Sequence, residues 1–359
     1  MSEYQVPDRL MAGEDQITVT DVRYFDPFEP PFDLYGFCQP HKLRAFQRLP
    51  DDIGENVNKG VRDLYRNTAG GRIRFSTDSD YVILRVELAH TMRAYHMPMT
   101  GSRGFDCFVD DPDGGRSTFA GVLCCSGADK ADGYFAILHF KTRQHRFLTL
   151  NFPLYSDVTS LEIGLRENST VGGGLPYRNR LPVVFAGSSI TQGGCASRPG
   201  NCYQNMIARA LNIDYLNLGF SGSFKAEDRI VDYMAQLPMS VFVSDYDHNA
   251  PTPEHLRETH CRMYQKIREK NPDLPYVMIS RPDFIRQAAD SIVRRNIILD
   301  TYRYALDKGD QNVYFIDGES FFKGEWEDCC TVDGTHPNDL GFRFMAEGIG
   351  NTLGKLKIR

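Results

Sequence analysis

Asp333 and His336 stand three residues apart in the stretch CTVDGTHPNDLGF near the C-terminus. On one turn, that spacing lets a carboxylate accept from imidazole Nδ1 and leaves Nε2 free as a base. It equally suits an Asx turn that caps a following helix beside a surface histidine. A partner for such a base stands far upstream, where the apolar run Val183-Val184-Phe185-Ala186 breaks into Gly187-Ser188-Ser189. A serine opening a helix at that break carries its own N–H near the positive end of the helix dipole. Either serine could instead serve only as an N-cap. A phosphate loop is disfavoured, because G-x-x-x-x-G-K-[ST] is absent.

Two further breaks follow apolar runs. In NLGFSGS, Gly219 and Gly222 can bring a backbone N–H close to a ligand or merely form a turn. In VSDYDHNAP, Asp245, Asp247 and His248 offer hard metal ligands, the Asn249 amide offers an oxyanion donor, and a capped solvated loop accounts for the same residues. Taken together the four segments supply nucleophile, base, orienting carboxylate and oxyanion donors, which is the equipment of acyl transfer.

The elements that must position these groups fall into two halves. Up to residue 175, period-two patterns dominate. Val82, Leu84, Val86 and Leu88 alternate with Arg85 and Glu87; Leu148, Leu150, Phe152 and Leu154 repeat the pattern, as do Leu161, Ile163 and Leu165. Separated by Gly, Asp and Pro clusters such as DDPDGG (110–115), they predict an antiparallel β-sandwich. VGGGLPYRNR (171–180) reads as a linker. Beyond it, apolar runs at 183–186, 213–218, 241–243, 276–279 and 313–316 alternate with helical patterns. Thr252 is a good N-cap with Pro253 at the first helical position, and a second helix is predicted over 288–308, stopped by Gly309. The expectation is a β-sandwich over 1–175, followed by an α/β unit over 176–359 with a parallel sheet between helices. In such folds function gathers at the C-terminal strand ends.

Composition narrows the partners. The chain has 359 residues and a formal net charge of −6, with no basic block, which argues against nucleic-acid binding. No run of about 18 apolar residues suggests a membrane span. The segment MSEYQVPDRL lacks the basic start and apolar core of a signal peptide, and nine cysteines form no C-x-x-C pair. These features predict a cytoplasmic protein with reduced thiols and no structural zinc. No cofactor and no metal are expected, and a homo-oligomer is compatible with the sequence.

With these residues in view, the chain resembles the SGNH (GDSL-type) serine hydrolases. The first block falls on Gly187-Ser188-Ser189-Ile190-Thr191, the second on Gly222, the third on Asn249, and the last on Asp333 and His336. Ser188 replaces the family's usual Asp, so two serines are adjacent; the family's spacing from Gly187 assigns the nucleophile to Ser189, which the residues alone do not decide. The front half is similar to the β-sandwich that precedes one bacterial subgroup. Its Gly-x-Asp-Leu-Tyr signature is represented by Gly104-Phe105-Asp106-Cys107-Phe108, with NTAGGRIRFSTDSDY (67–81) as a further likeness. The resemblance implies a flavodoxin-like three-layer α/β/α SGNH hydrolase domain behind a jelly-roll-like sandwich. It implies Ser189, His336 and Asp333 as a catalytic triad, with Ser189, Gly222 and Asn249 as the oxyanion hole. The implied reaction is hydrolysis of a small acyl ester, most simply acetate on a sugar. Arg198, Asn201, Arg281 and Trp326 are candidate substrate contacts. An acyltransferase with the same triad, a metal-dependent hydrolase using Asp245, Asp247 and His248, and a non-catalytic carbohydrate binder are the alternatives.

Overall fold

The computed structural model describes residues 19–91, 94–125, 132–282, 284, 286–324 and 326–358; the MSEYQVPDRL segment lies outside them. In chain order the strands of the front half are β1 (Val22–Phe25), β2 (Asp33–Tyr35), β3 (Arg72–Thr77), β4 (Tyr81–Thr91), β5 (Phe105–Asp110), β6 (Thr118–Leu123), β7 (Gly133–His139), β8 (Arg146–Asn151), β9 (Ser156–Arg166) and β10 (Val171–Gly173). They form two antiparallel sheets. One runs β1-β9-β4-β7; the other runs β10-β3-β8-β5-β6, with β2 also on β3.

The alternation seen in the sequence becomes the core between these sheets. Val82, Leu84, Val86 and Leu88 face inward against Leu148, Leu150, Leu161, Ile163 and Leu165, while Arg85 and Glu87 are exposed. Two expectations are corrected. Val171–Gly173 is not linker: it is an edge strand paired with Thr77, Ser76 and Phe75 of β3. Ladder hydrogen bonds come from the backbone, so an edge needs no apolar side chains to pair. Leu154 continues the apolar alternation of β8, yet it leaves the sandwich core and packs against the second half. The strand ends at Asn151 and the chain turns there.

The second half is a five-stranded parallel sheet of β11 (Val183–Gly187), β12 (Tyr215–Gly219), β13 (Val241–Asp245), β14 (Tyr276–Ile279) and β15 (Val313–Ile316). Its order, β12-β11-β13-β14-β15, is the flavodoxin-like 2-1-3-4-5 pattern. Side chains alternate across β11. Val184 and Ala186 pack beneath the helices Asp228–Ala235, Pro253–Lys270 and Ala288–Asp307; Val183 and Phe185 pack beneath Tyr203–Leu211 and Asp339–Leu353. Both faces are therefore covered, giving three layers. As expected, Thr252 caps its helix, its hydroxyl accepting from the His255 N–H, and Gly309 follows the Ala288–Asp307 helix with φ of 84°.

The two halves are joined by buried polar groups that no periodicity reveals. Leu49, Val61, Leu64 and Tyr65 lie between β2 and β3 in the chain but belong to the core of the parallel-sheet half. Arg48, 3% exposed, donates to the carbonyls of Asn67 (2.7 Å), Leu64 (2.7 Å) and Asn217 (3.3 Å) and to that of Gly219. Asp106, the carboxylate of the Gly-x-Asp signature, is fully buried. It accepts from Asn151 Nδ2 (2.7 Å) within the sandwich and from the Gly200 N–H (2.8 Å) and Arg198 Nη1 (2.8 Å) across the boundary. A buried carboxylate needs such partners, and here they clamp the sandwich to the loop that follows the first α/β strand. Among the described residues, no helix is long and apolar enough to cross a membrane.

Candidate active site

β11, β12 and β13 are neighbours, and each delivers one part of the site at its C-terminal end, where the strand order switches direction. β11 ends at Gly187. A Cβ there would stand 2.1 Å from both the Asp245 carbonyl oxygen and Thr191 Oγ1, so only glycine lets the chain pass so close to β13. The two serines then separate. Ser188 is fully buried and caps the Ser189–Gln192 helix, its Oγ accepting from the Ile190 N–H at 3.1 Å. Ser189 instead directs its Oγ to His336 Nε2, 2.9 Å away. One serine thus serves as the N-cap, and the other faces the imidazole.

His336 Nδ1 lies 2.8 Å from Asp333 Oδ2. Asp333 Oδ1 accepts from the N–H groups of Thr335 (3.0 Å) and His336 (2.8 Å). The Asx turn and the carboxylate–imidazole pair thus coexist, using one oxygen each, and the cap of the final helix is Asn338. Partial burial pushes the Asp333 carboxyl up, but the His336 N–H and ring and the Thr335 N–H outweigh it and hold the group at about 2. Asp333 is therefore an anion across the neutral range, able to fix the tautomer with Nδ1 protonated and Nε2 facing Ser189. The His336 loop is tied to the serine loop, since the Cys195 N–H donates to the Pro337 carbonyl at 3.1 Å.

Gly222 follows β12 with φ of 62°, a conformation that favours glycine. The loop is set by the Phe220 N–H, which donates to the Gly187 carbonyl (3.0 Å), and by the Ser221 N–H, which donates to Gln192 Oε1 (3.0 Å). Asn249 follows β13 and donates one amide hydrogen to the Phe220 carbonyl (2.8 Å), leaving the second. The N–H groups of Ser189 and Gly222 have no acceptor among the described residues.

Sequence reading missed the supports of this site. Gln192 Nε2 donates to Asn67 Oδ1 and the Leu154 carbonyl, both at 3.1 Å, so the glutamine that holds the Gly222 loop is itself held by the sandwich side. The Tyr155 hydroxyl donates to the Ser189 carbonyl at 3.2 Å. His96, from the segment after β4, places its ring 5.2 Å from that of His336, and beside it Tyr95 is 97% exposed. Only the polar character of these residues was visible beforehand, and each contact joins positions distant in the chain.

Of the candidate substrate contacts, three are tied into the fold. Arg198 binds Asp106 and lies over the Phe119 ring; Asn201 Nδ2 donates to Asp339 Oδ2 (2.8 Å); Arg281 Nε donates to Ser291 Oγ (2.9 Å) and the guanidinium pairs with Asp290. Trp326 is exposed.

The possible metal ligands Asp245, Asp247 and His248 do not bring their ligand atoms together; among the described residues the group that does is His96, Cys195 and His336. Asp245 lies under the serine turn, its Oδ2 accepting from Thr191 Oγ1 (3.0 Å) and Tyr203 OH (3.2 Å). Burial, and then the neighbouring Asp247, push its carboxyl up to about 8. Between the ordinary carboxylate value and that value, the folded chain keeps a proton that the unfolded chain releases. The stability from this group is thus complete in acid and is lost as pH rises through about 8. Asp245→Asn is expected to flatten this dependence, so its melting temperature should drop less than wild type between about pH 5 and about pH 8. Parallel profiles for the two proteins would show that Asp245 does not carry it.

Comparisons with known proteins bear on this geometry. Residues 180–353 match the GDSL-like Lipase/Acylhydrolase family, and residues 22–171 match the GxDLY family, described as the N-terminus of Esterase_SGNH_hydro-type. No curated protein matches the chain. Among solved structures, it is similar to a protein described as a GDSL-like lipase from Bacteroides ovatus ATCC 8483, at 28% identity and a TM-score of 0.83, covering 94% of this chain and 99% of that one. It is also similar to SsfX3, a salicylyl-acyltransferase from a tetracycline biosynthetic pathway (20% identity, TM-score 0.75, covering 95% and 100%). A family two carbohydrate esterase from Clostridium thermocellum, solved with cellohexaose, shares the fold at 13% identity and a TM-score of 0.58, covering 80% and 94%.

Proposed function

From the chain's membership of the SGNH/GDSL-type esterase and acylhydrolase family, we propose that it cleaves a small acyl ester, most simply an acetyl group on a carbohydrate, with residues 1–175 forming the accessory sandwich and 176–359 the catalytic domain. The observation that carries this reading is the continuous relay Ser189 Oγ–His336 Nε2 (2.9 Å) and His336 Nδ1–Asp333 Oδ2 (2.8 Å). Ser189 Oγ attacks the ester carbonyl while His336 Nε2 takes its proton. The tetrahedral oxyanion is met by the N–H groups of Ser189 and Gly222 and by the free amide hydrogen of Asn249. Collapse expels the alcohol, which receives the proton from His336, and water repeats the sequence on the acyl-enzyme. Asp333 orients the imidazole and stabilises the imidazolium.

Two observations favour a sugar ester. Several structural neighbours are carbohydrate esterases, one of them described as an acetyl xylan esterase from Butyrivibrio proteoclasticus (11% identity, TM-score 0.56). In this chain, the exposed ring of Tyr95 stands next to His96 at the edge of the triad, with ring centroids 4.9 Å apart. An aromatic face with a polar edge suits a pyranose better than a long acyl chain. The test is acetate release from a mixture of acetylated oligosaccharides, run with and without an added alcohol acceptor. Release of acetate into water is the expected result. Transfer to the acceptor in preference to water would make the protein an acyltransferase, and silence with every acetylated sugar would remove sugar acetates as substrates.

A further inference from the structure

His96, Cys195 and His336 each offer a ligand atom, and these atoms all lie within 4.8 Å of one another. They come from three separate places: the segment after β4 of the sandwich, the loop after the nucleophile helix, and the Asp333–His336 turn. We propose that these three residues form a zinc site that straddles the two halves of the protein and, when filled, switches the serine off.

The donor set argues for the metal. Two imidazoles and a thiol are the ligands of zinc rather than of magnesium or calcium. Three protein ligands plus a water complete the usual tetrahedron. Bonds of about 2.0–2.3 Å place tetrahedral ligand atoms roughly 3.5 Å apart, so the cluster must close by about 1 Å. His96 and Cys195 sit outside helices and strands, so their approach breaks no helix or ladder hydrogen bond. The outer support is already built: Asp333 Oδ2 accepts from His336 Nδ1 at 2.8 Å, the carboxylate–histidine arrangement that orients and strengthens a zinc ligand. His96 has a donor atom to spare, since its Nδ1 is buried with no hydrogen-bond partner among the described residues. Cys195 is 3% exposed and burial holds its thiol protonated, so metal entry releases that proton to solvent as the Zn–S bond replaces S–H.

Binding spends the lone pair of His336 Nε2, the same pair that faces Ser189 Oγ at 2.9 Å. With that pair on zinc, His336 can no longer take the serine proton. The inhibition rests on the acyl-transfer reading given above; the binding does not, and the two are measured separately. Calorimetry of the full chain with Zn2+ should show one equivalent bound, and Co2+ should give thiolate-to-metal charge-transfer and tetrahedral d–d absorption. His96→Ala and Cys195→Ala should each weaken Zn2+ affinity by about tenfold or more, and Cys195→Ala should erase the charge-transfer band. Hydrolysis of p-nitrophenyl acetate, each variant scaled to its own metal-free rate, should be inhibited by Zn2+ in wild type and rescued by EDTA. Higher Zn2+ should be needed in both variants, and Mg2+ should do nothing. Because His96 Nδ1 has no hydrogen-bond partner among the described residues, His96→Ala keeps the test decisive even if Cys195→Ala does not fold. Failure to bind one equivalent, equal affinity in wild type and His96→Ala, or activation by zinc would overturn the site. Metal binding without any ester cleavage would leave the site standing and sink the esterase reading instead.

Discussion

Ser189→Ala is expected to lower kcat by about four to six orders of magnitude, while Ser188→Ala keeps its turnover. The two hydroxyls are one residue apart and differ only in what they face. Ser189 Oγ meets His336 Nε2 at 2.9 Å; Ser188 Oγ is buried and accepts from the Ile190 N–H. In the proposed mechanism, loss of the first removes the atom that forms the acyl-enzyme. Loss of the second removes an N-cap, which costs about 1 kcal/mol of stability. The measurement is acetate release paired with a melting curve for each variant. Equal activity in all three proteins would end the serine mechanism. A large kcat loss in Ser188→Ala with an unchanged melting temperature would assign it a chemical role that its hydrogen bond does not explain.

Asn249→Ala is expected to reduce kcat by about 10²–10³-fold with KM little changed, the pattern of a donor that acts on the transition state more than on bound substrate. One amide hydrogen of Asn249 is committed to the Phe220 carbonyl, which holds the loop carrying Gly222, and the other is left for a developing oxyanion. The variant therefore tests both tasks. A fall within about fivefold would remove Asn249 from the oxyanion hole. A rise in KM matching the fall in kcat/KM, with kcat preserved, would place it in ground-state binding instead.

How far these outcomes could be anticipated from residues alone differs between elements. β11 was legible because a buried parallel strand reads as an unbroken apolar run, and its end was legible because Gly187 interrupts it. The same held for the Pro253–Lys270 helix, whose Thr252 cap and Pro253 start are local signals. The edge strand Val171–Gly173 was not, because three residues including two glycines carry no side-chain pattern and pair only through backbone groups. Nor could the sequence show that Leu49 to Tyr65, flanked by sandwich strands, packs under the parallel sheet.

The site divides along the same line. Asp333 and His336 lie within one turn, so covalent geometry alone makes their pairing attainable, and their types and spacing offered that pair beside an Asx turn. The choice between Ser188 and Ser189 needed the direction in which each Oγ points. That direction depends on the close passage of Gly187 against β13 and on a histidine 147 residues away. Gln192, Asn67, Tyr155 and His96 acquire meaning only when the sandwich is docked, because each acts through a contact across the boundary between the halves. What the amino-acid order determined by itself was local: periods, caps, breaks and the short-range Asp–His pair. What the tertiary structure decided was which distant groups converge, since convergence follows from strand order and packing, and neither leaves a trace in the spacing of any one segment.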